Sequence, residues 1–308
     1  MLINVIFSFR NEESNLIELV SRVDKAFNQT KDIDYKLIFV NDCSTDDSFE
    51  LLLKLKEKFP IEIINTSRRF GYIGGVLAGF NYSTGDALIY MDSDLQDPPE
   101  LIPELVSKFI DGYEVVHTRR VKREKIGYFQ QFLTKYAYRI IGFFSEIKIP
   151  QDSGDFKLLS ARVVKEILSI KEYDPYVRGL SVWVGFRQTS VDYIREPRYK
   201  GASNFPILRS SAPYKEFIRA IASNSVLPLY FAVYIGLVSI LGALLIAMYA
   251  VYTKLMGIST PGSSSILLAV SFFGGAILVT NGVLGIYLGR IYNAVKGRPN
   301  YIIDNIVK

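Results

Sequence analysis

The sequence predicts an α/β domain with a mostly parallel sheet, followed by two membrane-spanning helices. Short β-rich runs alternate with helical patterns from residue 3 to residue 118, which is typical of a parallel α/β sheet. No charged residue lies between Arg219 and Lys254, or between Lys254 and Arg290. Each of these stretches is longer than the ~20 apolar residues that cross a bilayer.

The alternating region is assigned element by element. Apolar runs rich in β-branched residues predict strands at 3–8, 36–41, 61–66, 87–91 and 114–118. Helical patterns predict helices between them at 12–28, 46–58, 74–82 and 99–111. In such sheets ligands bind at the carboxyl ends of the strands. The residues that directly follow each strand are therefore the candidates for function.

Beyond this region an amphipathic helix is predicted near 126–147, where apolar residues recur every three or four positions. Its flanks are basic and include Arg123, Lys135 and Arg139. One interpretation is a helix that packs on its own domain. The other is a helix on the membrane surface, with its basic side chains toward lipid phosphates.

The predicted organisation is a domain at 1–210, a juxtamembrane amphipathic segment at 211–222, spans at 223–253 and 263–289, and a basic tail at 290–308. The link between the spans has one basic residue, whereas the tail has four. Positive-inside asymmetry then predicts that the tail and the domain are both cytoplasmic at the inner (plasma) membrane. The N-terminus shows no secretory signal. Glycines in the spans favour close helix packing, within one chain or in a homo-oligomer.

The composition excludes several kinds of site. The single cysteine, Cys43, and the single histidine, His117, exclude an intrachain disulfide and Cys-rich or His-cluster metal sites. They also disfavour Ser-His-Asp and Cys-His mechanisms. A net charge of +5 suits an anionic partner, which is a phosphorylated ligand, a nucleic acid or a membrane. No nucleic-acid-binding motif is present.

Two carboxylates directly after the strand at 87–91 carry the strongest chemical signal. Asp92 and Asp94 are two residues apart, so in an extended segment they face the same way. Mg²⁺ or Mn²⁺ prefers one or two carboxylates together with substrate phosphates. A solvated acidic turn is the alternative interpretation.

Other strand ends add polar candidates. Asp42 follows the strand at 36–41 and would face a ribose hydroxyl or a base edge, unless it only shapes the turn. Asp155 follows the amphipathic helix and could orient an acceptor, or belong to a turn. Arginines near a cation site can neutralise a diphosphate, and the candidates are Arg68, Arg69, Arg119, Arg120 and Arg123. Together these residues predict a nucleotide-diphosphate site that a lipid substrate reaches from the membrane.

With these motifs in order, the sequence resembles family 2 glycosyltransferases of GT-A fold, and in particular polyprenyl-phosphate glycosyltransferases. This group includes dolichol-phosphate mannose synthases and bactoprenol glucosyltransferases. The resemblance covers nearly the whole chain. The matching segments are 11–13, 40–46, 67–71, 85–100, 154–160, 195–201, 288–292 and 296–299.

The resemblance implies an inverting transfer of a hexose from a nucleotide sugar to polyprenyl phosphate, with UDP-glucose the first choice of donor. GDP-mannose, a modified amino-sugar donor and a hydroxyl acceptor remain open, as does a membrane-tethered scaffold without activity. The implied metal ligands are Asp92 and Asp94, with Asp94 favoured as the direct ligand, and the implied catalytic residues are Asp94, Asp155 and Arg198. The implied nucleotide-sugar contacts are Ser8, Arg10, Glu12, Val40, Asp42, Arg68, Asp92, Ser93, Gln96, Arg120 and Asn204. Arg123, Lys135 and Arg139 would bind the lipid phosphate.

Three of these positions depart from the family pattern. Ser8 and Arg10 replace the usual proline and aromatic residue, and Asn204 replaces a frequent lysine. The first two lie in the loop that lines the nucleobase pocket in the family. The identity of the donor is therefore left open.

Overall fold

The structure is a computed structural model that describes residues 1–30, 32–122, 153–197, 199, 222, 225–257 and 263–308. Within these residues the strands form one eight-stranded sheet in the order β7-β5-β6-β4-β1-β2-β3-β8. The strands are β1 (Leu2–Phe9), β2 (Asp34–Asn41), β3 (Ile61–Thr66), β4 (Ala87–Tyr90), β5 (Val115–Lys122), β6 (Ser153–Ser160), β7 (Gln188–Ile194) and β8 (Ile303–Val307).

The helices cover both faces of the sheet. They are α1 (Glu13–Phe27), α2 (Ser48–Lys56), α3 (Tyr72–Tyr82), α4 (Ile102–Ile110), α5 (Ala161–Ser169), α6 (Val177–Trp183), α7 (Leu227–Leu255) and α8 (Ser263–Val295). The apolar sides of α1, α2 and α4 bury one face, and those of α3, α5 and α6 bury the other. The sequence-predicted α/β domain with a mostly parallel sheet is confirmed.

The strand directions divide the sheet into two parts. Strands β1 to β4 run parallel, and β1 lies at the centre between β4 and β2. β6 is antiparallel to both of its neighbours, β4 and β5, and β8 is antiparallel to β3. The carboxyl ends of β1, β2 and β4 therefore meet at one edge, and this edge carries the predicted acidic residues.

Helix α3 lies directly against β1 because two of its residues are glycines. A Cβ atom at Gly75 would stand 2.1 Å from the Ser8 hydroxyl, and one at Gly79 would stand 2.3 Å from the Ile6 side chain. Neither contact leaves room for a side chain. The small-residue pattern predicted as a helix at 74–82 is thus a close helix-to-strand contact, which brings the start of α3 to the candidate site.

The last residues of the chain extend the sheet. The sequence prediction for 290–308 is a basic tail. The structure adds that the end of this segment is strand β8, which pairs with β3 and is the outermost strand on that side of the sheet. Strands β6 and β7 were also not predicted. Asp155 lies inside β6, so the interpretation of this residue as part of a turn is wrong.

Helices α7 and α8 are long and apolar enough to cross a membrane. They pack against each other, but a Cβ atom at any glycine described in them would meet nothing within 4 Å. The contact between α7 and α8 therefore does not use these glycines. The predicted helix near 126–147 and the segment at 211–222, apart from residue 222, lie outside the described residues.

Candidate functional site

Two loops at the edge of the sheet are joined through Asp42, which follows β2. The backbone N–H groups of Phe70 and Gly71 donate to its two carboxylate oxygens, at 2.6 and 2.9 Å. Gly71 has a φ of 86°, a conformation that favours glycine, and α3 begins at the next residue. Asp42 is buried and fixes the loop at 67–71, which we call the donor loop. The sequence pattern predicted Asp42 as a ligand contact but did not predict this backbone role.

The turn after β1 is tied to the turn after β2. The Arg10 Nε donates to the Cys43 carbonyl at 3.3 Å, and the Glu12 N–H donates to the Ser48 hydroxyl at 3.0 Å. The Glu12 carboxylate is buried and accepts from the Asn15 amide at 2.6 Å. Arg10 therefore lies beside the turn that contains Asp42, and Glu12 lies at the start of α2.

Two predicted nucleotide contacts face the core instead. Val40 is fully buried and packs toward Gly75 of α3, so its side chain is not a nucleotide contact. The Ser8 hydroxyl is directed to the same glycine and is nearly buried. Both side chains lie on the face of the sheet that α3 covers, because side chains alternate between faces along a strand.

The donor loop carries an exposed cation. The guanidinium group of Arg68 lies 4.1 Å from the centre of the Phe70 ring, and its Nη1 donates to the Arg69 carbonyl at 3.1 Å. Stacking on the ring holds the guanidinium beside the loop that Asp42 fixes. This places Arg68 at the same edge as the acidic residues.

The turn after β4 contains the predicted metal ligands. Asp94 Oδ1 accepts from the N–H of Gln96 at 3.1 Å, and Ser93 is buried. Burial, followed by the charges of Asp155, Asp97 and Asp94, raises the pKa of Asp92 to about 7. Among the described residues, burial and the neighbouring carboxylates therefore outweigh the groups that stabilise the charged form of Asp92.

The acidic turn suits a cation that is shared with a ligand. No group of three or more His, Cys, Asp or Glu side chains among the described residues is arranged to hold a metal by itself. Asp92 and Asp94 supply two carboxylates, and a hard cation such as Mg²⁺ accepts this number when phosphate oxygens complete its coordination. The residues present therefore fit a divalent cation bound together with a phosphorylated substrate.

A buried carboxylate that was not predicted, Asp97, organises the arginine side of the turn. The Tyr193 hydroxyl donates to Asp97 Oδ1, and Arg120 and Arg195 approach the same oxygen at 3.4 and 3.6 Å. The Arg120 Nε also donates to the Tyr193 hydroxyl at 2.8 Å. A Cβ atom at Gly154 would lie 2.9 Å from Nη2 of Arg120, so a side chain there would displace the end of the guanidinium group. Arg120 is thus held in place beside the acidic turn.

Arg119 does not join the site, although it was a candidate by sequence. It is exposed and forms two 2.7 Å hydrogen bonds with Asp192 on β7. Successive residues of β5 face opposite sides of the sheet, so only Arg120 faces the acidic turn.

The negative charge of Asp155 is balanced by a neighbouring arginine. Nε and Nη2 of Arg178 on α6 donate to its two oxygens at 2.7 and 2.5 Å. Burial alone would raise the pKa of Asp155, but the Arg178 guanidinium holds it below its usual value. A carboxylate with a lowered pKa is a weak base, so it is better suited to orienting a group than to removing a proton.

A second contact between α6 and β6 lies next to the first. Lys157, two residues beyond Asp155, is buried, and its Nζ donates to the Ser181 hydroxyl at 3.1 Å. Burial lowers the pKa of Lys157 to about 7. On β5, burial and the charge of Lys157 lower the pKa of His117 to about 4. The only histidine is therefore neutral at pH 7 and is part of the packing around Asp155.

The structure thus brings most of the predicted residues to one edge of the sheet. Arg178, Asp97 and Tyr193 were missed, because their partners are distant in sequence and no local pattern marks them. The predicted residues Arg123, Lys135, Arg139, Arg198 and Asn204 lie outside the described residues.

Comparisons with known proteins find one family model, and relatives that match almost the whole chain. The family model described as "Glycosyl transferase family 2" matches residues 4–168. An uncharacterized glycosyltransferase of Synechocystis sp. is 38% identical over 306 residues, which cover 99% of this chain and 95% of the relative. The bactoprenol glucosyl transferase of Shigella phage SfX is 33% identical over 307 residues, 99% of each chain. The solved structure of S. aureus TarS 1-349 in complex with UDP-GlcNAc has a TM-score of 0.49 at 16% identity, over 72% of this chain and 66% of that one.

Proposed function

The chain belongs to glycosyl transferase family 2, and on that premise we propose that it transfers a hexose from a nucleotide sugar to polyprenyl phosphate. Membership confirms the GT-A-like fold and the glycosyltransferase class that the motifs implied. We take UDP-glucose as the donor, in keeping with the bactoprenol glucosyl transferase relatives. The same relatives support a polyprenyl phosphate acceptor.

The observation that carries the choice of acceptor is the ion pair between Asp155 and Arg178. A sugar or lipid hydroxyl must lose a proton as it attacks, which calls for a base with a suitable pKa. The pKa of Asp155 is lowered, so it serves this purpose poorly. A phosphate monoester has its second pKa near ~6 and is already mostly charged at pH 7. The site therefore suits a phosphate acceptor better than a hydroxyl.

The proposed reaction is an in-line displacement at C1 of the sugar. A phosphate oxygen of the acceptor forms a bond to C1, the bond from C1 to the donor diphosphate breaks, and its electron pair stays on the leaving diphosphate. Arg120, held by Asp97 and Tyr193, faces the developing charge. Asp92 and Asp94 would hold a divalent cation, which would add to the neutralisation of the diphosphate. Asp155 orients the acceptor without taking a proton, and the configuration at C1 is inverted.

The placement of the tail supports the proposed topology. Because β8 belongs to the same sheet as β1 to β4, the chain returns to its own domain after α8. The domain and the tail then lie on one side of the membrane, and α7 and α8 cross it as a pair. Arg290 near the end of α8, and Lys296 and Arg298 just after it, favour the cytoplasmic side. The glycines of α7 and α8 do not take part in the contact between these two helices, so they leave a surface for packing against another subunit in a homo-oligomer.

The test is transfer of radiolabel from UDP-glucose, GDP-mannose and UDP-GlcNAc to short-chain polyprenyl phosphate, with Mg²⁺ or Mn²⁺. We expect label in the organic phase from UDP-glucose, and no label with Asp94→Asn. Asp192→Asn is the matched control, since it makes the same change in an exposed ion pair away from the site. Transfer to a lipid hydroxyl but not to the phosphate would contradict the choice of acceptor. Nucleotide binding without transfer to any acceptor would support the alternative that the protein is a membrane-tethered scaffold without activity.

A further inference from the structure

The segment that follows the second membrane helix contacts both halves of the site. We propose that Asn305 and Asn300 are positioning residues. Asn305 positions the donor loop and the turn that contains Asp42, and Asn300 positions helix α6, whose Arg178 binds Asp155. The inference rests on the proposed function, because it assigns one asparagine to the donor and the other to the acceptor.

Asn305 ends a row of hydrogen-bonded amides that crosses three strands. Asn41, Asn65 and Asn305 stand side by side on β2, β3 and β8. The Asn65 Nδ2 donates to Asn305 Oδ1 at 2.8 Å, and the Asn41 Nδ2 donates to Asn65 Oδ1 at 2.9 Å. Asn41 Oδ1 in turn accepts from the N–H of Ser44 at 2.9 Å. The row therefore runs from the tail to the turn that contains Asp42.

The tail also supports the donor loop through its backbone. The N–H of Ser67, the first residue of that loop, donates to the carbonyl of Ile302 at 3.0 Å. The other end of the loop is fixed by Asp42 through Phe70 and Gly71. Arg68 lies between these two attachments. Removing the tail contacts would free one side of the loop that presents Arg68.

Asn300 contacts the other half of the site. Its Oδ1 accepts from the N–H of Asp174 at 3.0 Å, and its Nδ2 donates to the carbonyl of Glu172 at 3.0 Å. The segment at 170–176 leads directly into α6, which carries Arg178. On its other side, the Asn300 carbonyl would lie 2.8 Å from a Cβ atom at Gly74 near the start of α3. Asn300 is therefore wedged between the donor side and the segment that leads to the Arg178–Asp155 pair.

The tail has little slack. Asn300 comes five residues after α8 ends at Val295, and β8 begins three residues later. Seven residues span at most roughly 25 Å when fully extended. Because this connection is short, a shift of α8 would move both Asn300 and Asn305. We call the contacts of Asn305 the donor arm of the site and those of Asn300 the acceptor arm.

Because the two asparagines contact different halves of the site, donor and acceptor parameters can be compared for a variant of each, with the full chain in lipid nanodiscs. We expect Asn305→Ala to weaken UDP binding in Mn²⁺ and to raise the KM for the donor about three- to tenfold, with kcat unchanged, since one hydrogen bond of the row is lost. Asn305→Asp keeps the acceptor for the Asn65 amide and loses only the exposed donor to Asp304, so it should stay closer to wild type than Asn305→Ala. Asn300→Ala should lower kcat and raise the KM for the lipid phosphate, with UDP affinity unchanged. Asn28→Ala, in an exposed contact with Asp24, is the matched control.

The outcomes separate positioning from general stability. Equal changes in donor and acceptor parameters for both variants, in parallel with a lowered Tm, would mean that the tail only stabilises the fold. Unchanged UDP affinity in Asn305→Ala would overturn the donor arm, and unchanged acceptor parameters in Asn300→Ala would overturn the other. UDP binding needs no acceptor, so the donor arm is decided even if wild type fails to glycosylate polyprenyl phosphate, which would contradict only the proposed function.

Discussion

Two carboxylates at the same edge of the sheet are held in opposite ways. Asp92, in the turn after β4, has a pKa raised to about 7, because burial and three neighbouring carboxylates oppose its charge. Asp155, in β6, has a lowered pKa, because Arg178 binds both of its oxygens. Among the described residues, the charge of Asp92 is opposed by its surroundings, whereas the charge of Asp155 is balanced by Arg178. Charge balance thus distinguishes a cation site from an orienting group where residue type does not.

Replacing one carboxylate in each region gives the strongest test of the difference between their roles. Asp94→Asn removes the favoured cation ligand and should lower transfer by about 1000-fold or more. Asp155→Asn keeps both cation ligands but weakens the contact with Arg178, so through orientation it should cost about ten- to a hundredfold. Initial rates of lipid-linked label at saturating donor measure both. Equal residual rates in the two variants would refute the difference in roles.

The neutralisation of Asp155 can be tested by removing its partner. Arg178→Met leaves a buried carboxylate without its cation, so unfolding free energy should fall by about 3 kcal/mol. The pKa of Asp155 then rises, because the largest opposition to burial is lost and only Lys157 and Arg120 still favour its charge, and activity should be lost as the pH falls through the new pKa. A thermal melt and a pH profile of kcat are the measurements. Arg119→Met, in an equally bidentate but exposed pair, is the control and should change neither.

The smallest expected effect concerns the pH dependence of the acidic turn. Cation binding requires Asp92 to be ionised, so Mn²⁺ affinity should fall as the pH drops below about 7 and level off above it. In the metal-free protein the raised pKa means that stability is lost as the pH rises through 7. Asp92→Asn should therefore raise the metal-free Tm at pH 8 more than at pH 5. A variant that melts below wild type at pH 8 without metal would show that Asp92 is not under electrostatic strain.

The sequence was sufficient for the parallel part of the sheet and insufficient for the rest. Strands β1 to β4 are largely apolar runs, and the residues at their ends follow from topology alone. Strand β6 places Asp155 and Lys157 on a buried face, where the period of a half-buried strand calls for apolar residues. Strand β8 contains Asp304 and Asn305 and resembles a polar tail. In both strands the charged or polar residues are used for contacts to distant partners, which no local pattern reveals.

The location of β8 also sets the order in which the enzyme can be assembled. Asn65 and Asn305 are 240 positions apart, and at ~5–20 residues per second the ribosome needs roughly 10 to 50 s to make the intervening chain. During this time the β3 edge has no partner and is open to pairing with another chain. Its own partner emerges only after both membrane helices have been made. Completion of this side of the sheet, and of the row of asparagines that crosses it, therefore follows the synthesis of α7 and α8.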